Sequence, residues 1–197
     1  MAKLTFWFEF ASTYSYLSAM RIEEAAKKSG VELIWKPFLL GPIFKAQGWD
    51  TSPFNLFPAK GKYMVRDIER IAQGRGLRFR LPEPFPQNGL VPARLALVGL
   101  SEGWGPNFIK AIYKAEFAGG RNIADRTTIE AALAEAGAVA ATAFAAAESP
   151  EIKAKLRANT EEAQARGIFG APSFTTEDGE LFWGDDRLEQ ALTWAGG

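Results

Sequence analysis

Four consecutive residues near the start of the chain, Ser12-Thr13-Tyr14-Ser15, place hydroxyl groups at the expected first turn of a helix. The free N–H groups and the dipole at a helix N-terminus favour a bound anion. The sequence contains no cysteine and no histidine, so it lacks a thiolate of its own, a disulfide and the usual base of hydrolytic triads. A sulfur nucleophile at this site would therefore have to come from an external thiol.

Ser12 has two compatible roles at this position. Its hydroxyl can cap the helix, and it can donate a charge-assisted hydrogen bond to a thiolate bound there. A free thiol has a pKa of about 8.5, and helix N-termini can lower such values to about 3.5–7.5. We therefore expect an external thiol bound beside Ser12 to be largely ionised near neutral pH.

Composition limits the classes of function. Lys plus Arg and Asp plus Glu are equal at 23 each, and no basic block occurs, so we expect no nucleic-acid partner. The start of the chain lacks a secretory signal pattern, and no run of about 18 apolar residues occurs, so we expect no membrane segment. The sequence thus predicts a cytoplasmic protein with one sizeable core and no metal site.

Hydrophobic patterns predict the elements that position Ser12. Residues 4–10 alternate apolar and more polar side chains as a strand does, and residues 14–28 have helical spacing that ends before Gly30. A second strand begins at Val31, which completes a β-α-β unit. Near the C-terminus, two short strands flank Asp178-Gly179, a hairpin signal, and a final helix follows.

The segments between these two halves are helical in pattern. This order predicts an α/β protein with a thioredoxin-like fold and an inserted all-helical domain. The thioredoxin-like domain would comprise residues 1–40 and 150–197, and the insertion residues 41–149. We expect the insertion to form the second wall of a cleft above Ser12.

Three short motifs make the chain resemble the 2-hydroxychromene-2-carboxylate isomerases and kappa-class glutathione transferases, relatives of the bacterial disulfide-forming oxidoreductases. Ser12-Thr13-Tyr14-Ser15 stands where that family has Ser-Pro-Tyr-Ser in place of a redox Cys-x-x-Cys. Ala171-Pro172 resembles the family's cis-proline loop, and residues 182–187 resemble its Phe-Gly-Ser-Asp-Arg motif. The resemblance covers essentially the whole chain.

The resemblance implies that glutathione is the cofactor and that Ser12 is the catalytic residue, which binds the glutathione sulfur. Ala171 and Pro172 would pair their backbone with the cysteinyl part of glutathione. The γ-glutamyl end would be held by Trp183, Gly184, Asp185 and Asp186. As ordinary structure, Asp186 would instead form a capping box with Glu189, three residues later.

The inserted segment supplies further candidates. Lys60 stands at the family's Pro-x-Lys position, and the resemblance implies that it binds an anion, either the glycine carboxylate of glutathione or the substrate. Lys45, Asn88 and Trp49 are further candidates for the substrate. Aromatic side chains could form a slot for a planar ligand or could simply pack the insertion onto the core: Trp49, Phe54, Phe57 and Phe85.

Two positions near these motifs have open assignments. Asn55 is a candidate for the asparagine that relatives use near glutathione, because residues 49–53 depart from the family's Gly-Asn-x-Pro-Pro. Glu9, three residues before Ser12, is interpreted either as a solvated strand carboxylate or as a proton relay.

The activity implied is a glutathione-dependent interconversion of 2-hydroxychromene-2-carboxylate and trans-o-hydroxybenzylidenepyruvate. The partner would be a small aromatic keto-acid, and relatives imply a homodimer. One alternative is a kappa-like transferase that joins glutathione permanently to an electrophile, and another is a non-catalytic glutathione-binding module. The missing cysteines exclude a disulfide oxidoreductase.

Overall fold

The computed structural model describes residues 1–49 and 53–197. Its single described sheet has the strand order β2-β1-β3-β4. β1 pairs in parallel with β2 and antiparallel with β3, and β3 pairs antiparallel with β4. The strands are β1 (Lys3–Phe8), β2 (Glu32–Pro37), β3 (Ser173–Thr176) and β4 (Leu181–Trp183). The sheet therefore joins the predicted N-terminal β-α-β unit to the predicted C-terminal hairpin.

Helices cover the sheet and fill the region between its halves. They are α1 (Thr13–Ala19), α2 (Ile22–Lys28), α3 (Leu40–Ala46), α4 (Pro53–Leu56), α5 (Pro58–Gly74), α6 (Leu90–Glu102), α7 (Gly105–Tyr113), α8 (Arg126–Glu135), α9 (Ala140–Ala147), α10 (Pro150–Ala165) and α11 (Leu188–Gly196). A π-helical turn, Lys114–Ala118, continues α7, and a 3₁₀ turn, Asp185–Arg187, precedes α11.

The predicted first helix is two helices. α1 ends at Ala19 and α2 begins at Ile22, because Arg21 leaves the helical conformation with φ −132° and ψ −15°. The Arg21 guanidinium bonds to Asp185 and Glu189 in the C-terminal segment. This non-local contact could not be inferred from the helical spacing of residues 14–28.

β1 is the central strand, and both of its faces are buried. Leu4, Phe6 and Phe8 belong to the main core, as the alternation predicts. Trp7, on the opposite face, is also buried and packs in a second cluster with Phe38. Its indole N–H donates a hydrogen bond to Thr175 Oγ1 at 2.9 Å, which satisfies the one polar group of that side chain.

The main hydrophobic core extends from the sheet into the inserted helices. β1 residues and the α7 residues Phe108 and Ile112 belong to one continuous cluster. The division into residues 1–40 with 150–197 and residues 41–149 stays a prediction. Shared packing of this kind fixes the position of the insertion relative to α1.

Within residues 1–49 and 53–197, no single helix combines the length and apolar character needed to cross a bilayer. α8 and α9 reach that combination only when they are joined across a bend of 115°.

Candidate functional site

Ser12 lies at the point where the N-terminus of α1 meets the loop before β3. It is the N-cap of α1, with φ −91° and ψ 112°, and its Oγ accepts a hydrogen bond from the Ser15 N–H at 3.1 Å. The same hydroxyl donates to the carbonyl oxygen of Ala171 at 2.8 Å. Ser12 therefore caps the helix as predicted, and its hydroxyl proton points at the loop where a ligand backbone would pair.

The Ala171-Pro172 peptide bond is cis, as the resemblance predicts. Two hydrogen bonds hold this loop: the Ser173 hydroxyl donates to Gly170 O at 2.9 Å, and Gly184 N–H donates to Pro172 O at 3.0 Å. The structure thus brings together Ser12, the proline loop and the turn after β4. These three segments are distant in sequence but form one surface.

Gly184 is required by its backbone conformation. Its φ of 109° lies in the region that only glycine adopts readily. A Cβ at this position would also lie 2.6 Å from Asp186 Oδ1. The glycine therefore allows the aspartate side chain to fold back over the turn toward the site.

The two aspartates of this turn have different environments. Asp185 is only 3% exposed, and its carboxylate accepts hydrogen bonds from Arg75 at 2.6 Å and from Ser18 Oγ at 2.9 Å. Arg21 Nε is a third donor, at 3.3 Å. Asp186 is 74% exposed, with Arg187 at 3.6 Å. Sequence reasoning grouped both with the ligand, but the carboxylate of Asp185 is already saturated by protein donors, so Asp186 is the one available to a ligand.

Tyr14 connects α1 to the inserted helix α5. Its hydroxyl donates to Asp67 Oδ2 at 2.8 Å. Burial, followed by the hydrogen bond and the charge of Asp67, raises the pKa of Tyr14 well above its ordinary value, and Asp186 adds to the effect. Tyr14 therefore stays protonated, and the negative charges of Asp67 and Asp186 both act on its hydroxyl. Sequence reasoning missed Asp67, which carries no motif.

Trp183 and Phe169 form an aromatic pair beside the proline loop. Their ring centroids are 4.9 Å apart, and Trp183 is 50% exposed. The Trp183 indole lies against Gly170, where a Cβ would meet Nε1 at 2.5 Å. Trp183 therefore lies beside the proline loop, its role in binding glutathione stays a prediction, and Phe169 is an addition that no sequence signal identified.

The candidates from the insertion are less closely connected to Ser12. Lys60 is exposed in the first turn of α5, and Lys45 is exposed at the end of α3. Asn88 Oδ1 accepts a hydrogen bond from the N–H of Leu90, the first residue of α6, at 3.0 Å, and the side chain is exposed. Trp49 contacts Phe44, with ring centroids 5.8 Å apart. Within the described residues, none of these side chains has a hydrogen bond to Ser12 or to the proline loop.

The rings of the predicted aromatic slot differ in how far they are buried. Phe54 contacts Phe85 with ring centroids 4.9 Å apart, and Phe85 in turn contacts the buried Phe117. These two rings therefore pack α4 onto the core. Phe57 is 52% exposed and is free to meet a ligand. Residues 50–52 and the side chain of Asn55 lie outside the described part of the chain, so the assignment of Asn55 stays a prediction.

Two acidic side chains lie behind the Ser12 site. Glu9 is half-buried just past the end of β1, and desolvation raises its pKa to about 8, partly offset by a hydrogen bond from the Ala11 backbone. Glu116, in the π-helical turn, is fully buried, and its pKa is raised well above the usual range by burial and then by Glu9. The two interpretations of Glu9, as a solvated carboxylate or as a proton relay, stay predictions, and sequence reasoning missed Glu116.

These raised pKa values predict that the protein loses stability as pH rises. Between about pH 4.5 and pH 8, Glu9 is protonated in the folded chain and ionised in the unfolded chain, so unfolding releases a proton. Each such group lowers the free energy of unfolding by up to about 1.4 kcal/mol per pH unit in that window. Urea unfolding at pH values across the window measures this slope.

Glu116→Gln should make the slope shallower, because an amide does not ionise. Glu151→Gln on the exposed start of α10 is the matched control and should keep the wild-type slope. A wild-type slope in Glu116→Gln would mean that Glu116 is not held protonated by the fold.

Comparison with known proteins agrees with this geometry. Residues 3–193 match the family model described as DSBA-like thioredoxin domain. The chain is 27% identical over 188 residues to a 2-hydroxychromene-2-carboxylate isomerase of Sphingobium xenophagum, covering 94% of each chain. It is 28% identical over 202 residues to glutathione S-transferase kappa 2 of Caenorhabditis elegans, covering 94% of this chain and 88% of that one.

A solved structure of a 2-hydroxychromene-2-carboxylate isomerase superposes with a TM-score of 0.87 at 21% identity, covering 98% of this chain and 94% of the other. The likeness extends over the mixed sheet and the many helices. The predicted thioredoxin-like fold with helical additions is thereby confirmed.

Proposed function

Because the chain belongs to the family of DSBA-like thioredoxin domains, we propose that it binds glutathione beside Ser12 and uses the bound thiolate to isomerise an aromatic keto-acid. The reaction proposed is the interconversion of 2-hydroxychromene-2-carboxylate and trans-o-hydroxybenzylidenepyruvate. Relatives that are isomerases and kappa-class glutathione transferases support an enzyme that uses this thiol. The proposal includes a homodimer in the cytoplasm.

The observation that carries the proposal is the position of the Ser12 hydroxyl. It stands at the N-terminus of α1 and bonds to Ala171 O at 2.8 Å, in a chain without cysteine. An incoming thiolate would accept the hydrogen bond of the Ser12 hydroxyl in place of Ala171 O. The partial positive charge of the helix end would stabilise it further. Ser12 therefore stabilises an external sulfur anion and does not act as the nucleophile itself.

The surrounding groups suit the remaining parts of glutathione. The main chain of the Ala171-Pro172 loop would pair with the cysteinyl residue, and Ala171 O becomes available when the Ser12 hydroxyl turns from it to the ligand sulfur. Asp186, which is exposed, and Asp67 would attract the ammonium group of the γ-glutamyl end. Lys60 would attract either the glycine carboxylate or the substrate carboxylate. The exposed rings of Trp183 and Phe57 would cover apolar parts of the ligands.

The chemistry requires no net redox change. The thiolate adds to the conjugated alkene, which forms a C–S bond and moves an electron pair onto the carbonyl oxygen as an enolate. The former double bond is now single and can rotate. When the enolate collapses, the C–S bond breaks, the alkene forms again in the other geometry, and the thiolate is released unchanged. In the cis isomer the phenol oxygen adds to the ketone and the phenol proton passes to the new hydroxyl group, which closes the chromene ring; the reverse step opens it. Nearby donors such as Lys60 would stabilise the enolate.

Two assays test this proposal. The first measures turnover of each of the two interconverted compounds, and the second measures the amount of reduced glutathione. We expect isomerisation only when reduced glutathione is present, with the total amount of glutathione unchanged after many turnovers. A loss of glutathione that matches product would replace the isomerase with the kappa-like transferase. Binding of glutathione without any turnover would indicate the non-catalytic module, and turnover without glutathione would refute the proposal entirely.

Substitution of Lys60 tests which anion this residue binds. We expect Lys60→Met to raise KM about tenfold, the effect of losing one charge-assisted hydrogen bond. If the KM for glutathione rises, Lys60 binds the glycine carboxylate; if the KM for the keto-acid rises, it binds the substrate. Lys62→Met, an exposed neighbour on the same helix, is the control. Equal KM values in both variants and the wild type would remove Lys60 from the site.

A further inference from the structure

One side of α5 carries a row of polar and charged side chains. Lys60, Tyr63, Asp67 and Arg70 are spaced three or four residues apart, so they lie along one face of the helix. These four residues are called the α5 stripe below. Lys60 stands seven residues before Asp67, which is about 10 Å along the helix axis. The α5 stripe therefore contains the lysine of the proposed function and, farther along, a carboxylate.

The hydroxyl of Tyr14 joins the α5 stripe to α1. It donates to Asp67 Oδ2 at 2.8 Å, and Tyr14 lies in the first turn of α1, two residues after Ser12. The other oxygen, Asp67 Oδ1, accepts a hydrogen bond from Arg70 at 3.2 Å. The Arg70 guanidinium lies 5.6 Å from the centroid of the Tyr63 ring. Each carboxylate oxygen of Asp67 therefore has its own partner, and the Tyr14 hydroxyl is the partner that belongs to α1.

The N-terminal half of α5 has little apolar packing on the core. The buried residues of this helix are Gly61, Ile68 and Ala72. In the part of the chain that the structure describes, neither hydrophobic cluster contains an α5 residue before Ile68. Gly61 packs against α4, where a Cβ would lie 2.6 Å from Phe54 O. Residues 58–67 therefore depend on the Tyr14–Asp67 contact, more than on apolar burial, for their position beside α1.

The donor of this contact keeps its proton. Burial, followed by the hydrogen bond and the charge of Asp67, holds the pKa of Tyr14 well above the ordinary value of a phenol. Tyr63 and Asp186 add smaller contributions in the same direction. A hydrogen bond to a carboxylate is roughly twice as strong as one between neutral groups. The contact is therefore a durable one near neutral pH.

Tyr16 makes a contact of the same kind farther from the site. Its hydroxyl donates to the carbonyl oxygen of Arg78, beyond the end of α5, at 2.7 Å. Its ring is buried and contacts Phe117, with ring centroids 5.7 Å apart. Both tyrosines thus join α1 to the insertion through a phenol, but the Tyr16 hydroxyl does not contact the α5 stripe. Loss of the Tyr16 hydroxyl is therefore a matched control for loss of the Tyr14 hydroxyl.

We propose that Tyr14 is a positioning residue, whose hydrogen bond to Asp67 holds the Lys60 end of α5 at the distance from Ser12 that the ligands require. Without this bond, residues 58–67 would occupy a wider range of positions relative to α1. Lys60 would then be correctly placed for a smaller fraction of the time, and the anion that it binds would be held less tightly. This inference rests on the proposed function, because it requires ligands that are bound by both Ser12 and Lys60.

Kinetics of a double variant test whether Tyr14 acts through Lys60. We expect Tyr14→Phe to raise the KM of the same reactant that Lys60→Met affects, by about fivefold, and to leave kcat within about twofold of the wild type. The double variant Tyr14→Phe/Lys60→Met should show only the rise of about tenfold that Lys60→Met shows alone. A purely structural role would make the two effects independent, and they would multiply to about 50-fold.

Tyr16→Phe controls for general loosening of α1. It should leave both KM values unchanged, and Tyr16→Phe/Lys60→Met should behave as Lys60→Met does. A rise in the same KM as large as that in Tyr14→Phe would attribute the effect to α1 as a whole and would overturn the inference. An increase of about 50-fold in Tyr14→Phe/Lys60→Met would overturn it too, because Tyr14 would then act independently of Lys60.

Amide hydrogen exchange tests the contact without any ligand. We expect Tyr14→Phe to lower the protection of the backbone amides of residues 62–67 about tenfold and to leave those of residues 69–74 unchanged, because the latter half of α5 is packed on the core. In Tyr16→Phe the amides of residues 62–67 should keep their wild-type protection. Wild-type protection of these amides in Tyr14→Phe would overturn the inference, whatever happens with glutathione.

The outcomes separate this inference from the proposed function. A wild-type protein that neither binds glutathione nor turns over the keto-acid would refute the proposed function and the positioning role with it. Normal turnover in the wild type, together with unchanged KM values in Tyr14→Phe, would leave the proposed function intact and would overturn the inference. Unchanged KM values in Lys60→Met would also overturn it, because the Lys60 end of α5 would then present no group that the ligands use.

Discussion

Ser12→Ala is expected to lower kcat/KM by about 10- to 100-fold, because one hydrogen bond to a charged group contributes about 1.5–3 kcal/mol. The hydroxyl that bonds to Ala171 O at 2.8 Å is the one that would solvate the sulfur anion. Without it, the pKa of the bound thiol should rise by about one to two units, on the same free-energy scale. Thiolate absorbance of bound glutathione, titrated against pH, measures that rise directly.

A control separates this effect from loss of the helix cap. Ser149 caps α10 in the same way, with its Oγ accepting from Ile152 N–H at 3.3 Å, and it lies in a different part of the chain. Loss of either serine cap should lower the free energy of unfolding by about 1 kcal/mol, but Ser149→Ala should not change the pKa of the bound thiol. Unchanged thiolate absorbance in Ser12→Ala would show that Ser12 is only a cap.

Asp185→Ala is expected to lower the free energy of unfolding by about 3 kcal/mol, the lower end for breaking a buried ion pair. Its carboxylate joins Arg75 from the end of α5, Ser18 from α1 and Arg21 from the α1–α2 break. Removal leaves Arg75 and Arg21 facing each other without the shared anion. Denaturant unfolding at constant pH measures the loss.

Asp186→Ala is the matched comparison, since its side chain is 74% exposed on the same turn. It should leave the free energy of unfolding within about 0.5 kcal/mol of the wild type. Glutathione affinity should fall about tenfold, because one charged partner of the ligand is removed. The opposite pattern, with Asp186 needed for folding and Asp185 for affinity, would contradict the assignment of the two aspartates.

Several features of the site were predictable because they depend on local sequence or on composition. The N-cap role of Ser12 follows from a serine placed between a strand and a helix. The cis bond before Pro172 followed from the resemblance and its place before a strand. The absence of cysteine and histidine excluded whole classes of chemistry without any structure. Each of these depends on neighbours within a few residues, or on none.

Features that depend on distant contacts could not be predicted. Asp185 and Asp186 are adjacent and chemically identical, and only the approach of Arg75, 110 residues away, makes one structural and leaves the other exposed. For Glu9 and Glu116, the packing of the insertion onto β1 decides the burial, and burial decides the charge.

The sequence by itself determined that any thiol must come from outside the chain and that Ser12 stands at a helix N-terminus, because composition and short-range pattern are complete in the linear chain. Only the tertiary structure decided which acidic groups face a ligand, which hold the fold together and which keep a proton. The physical reason is that desolvation and ion pairing depend on the three-dimensional neighbours of a group, and those neighbours lie in remote parts of the sequence.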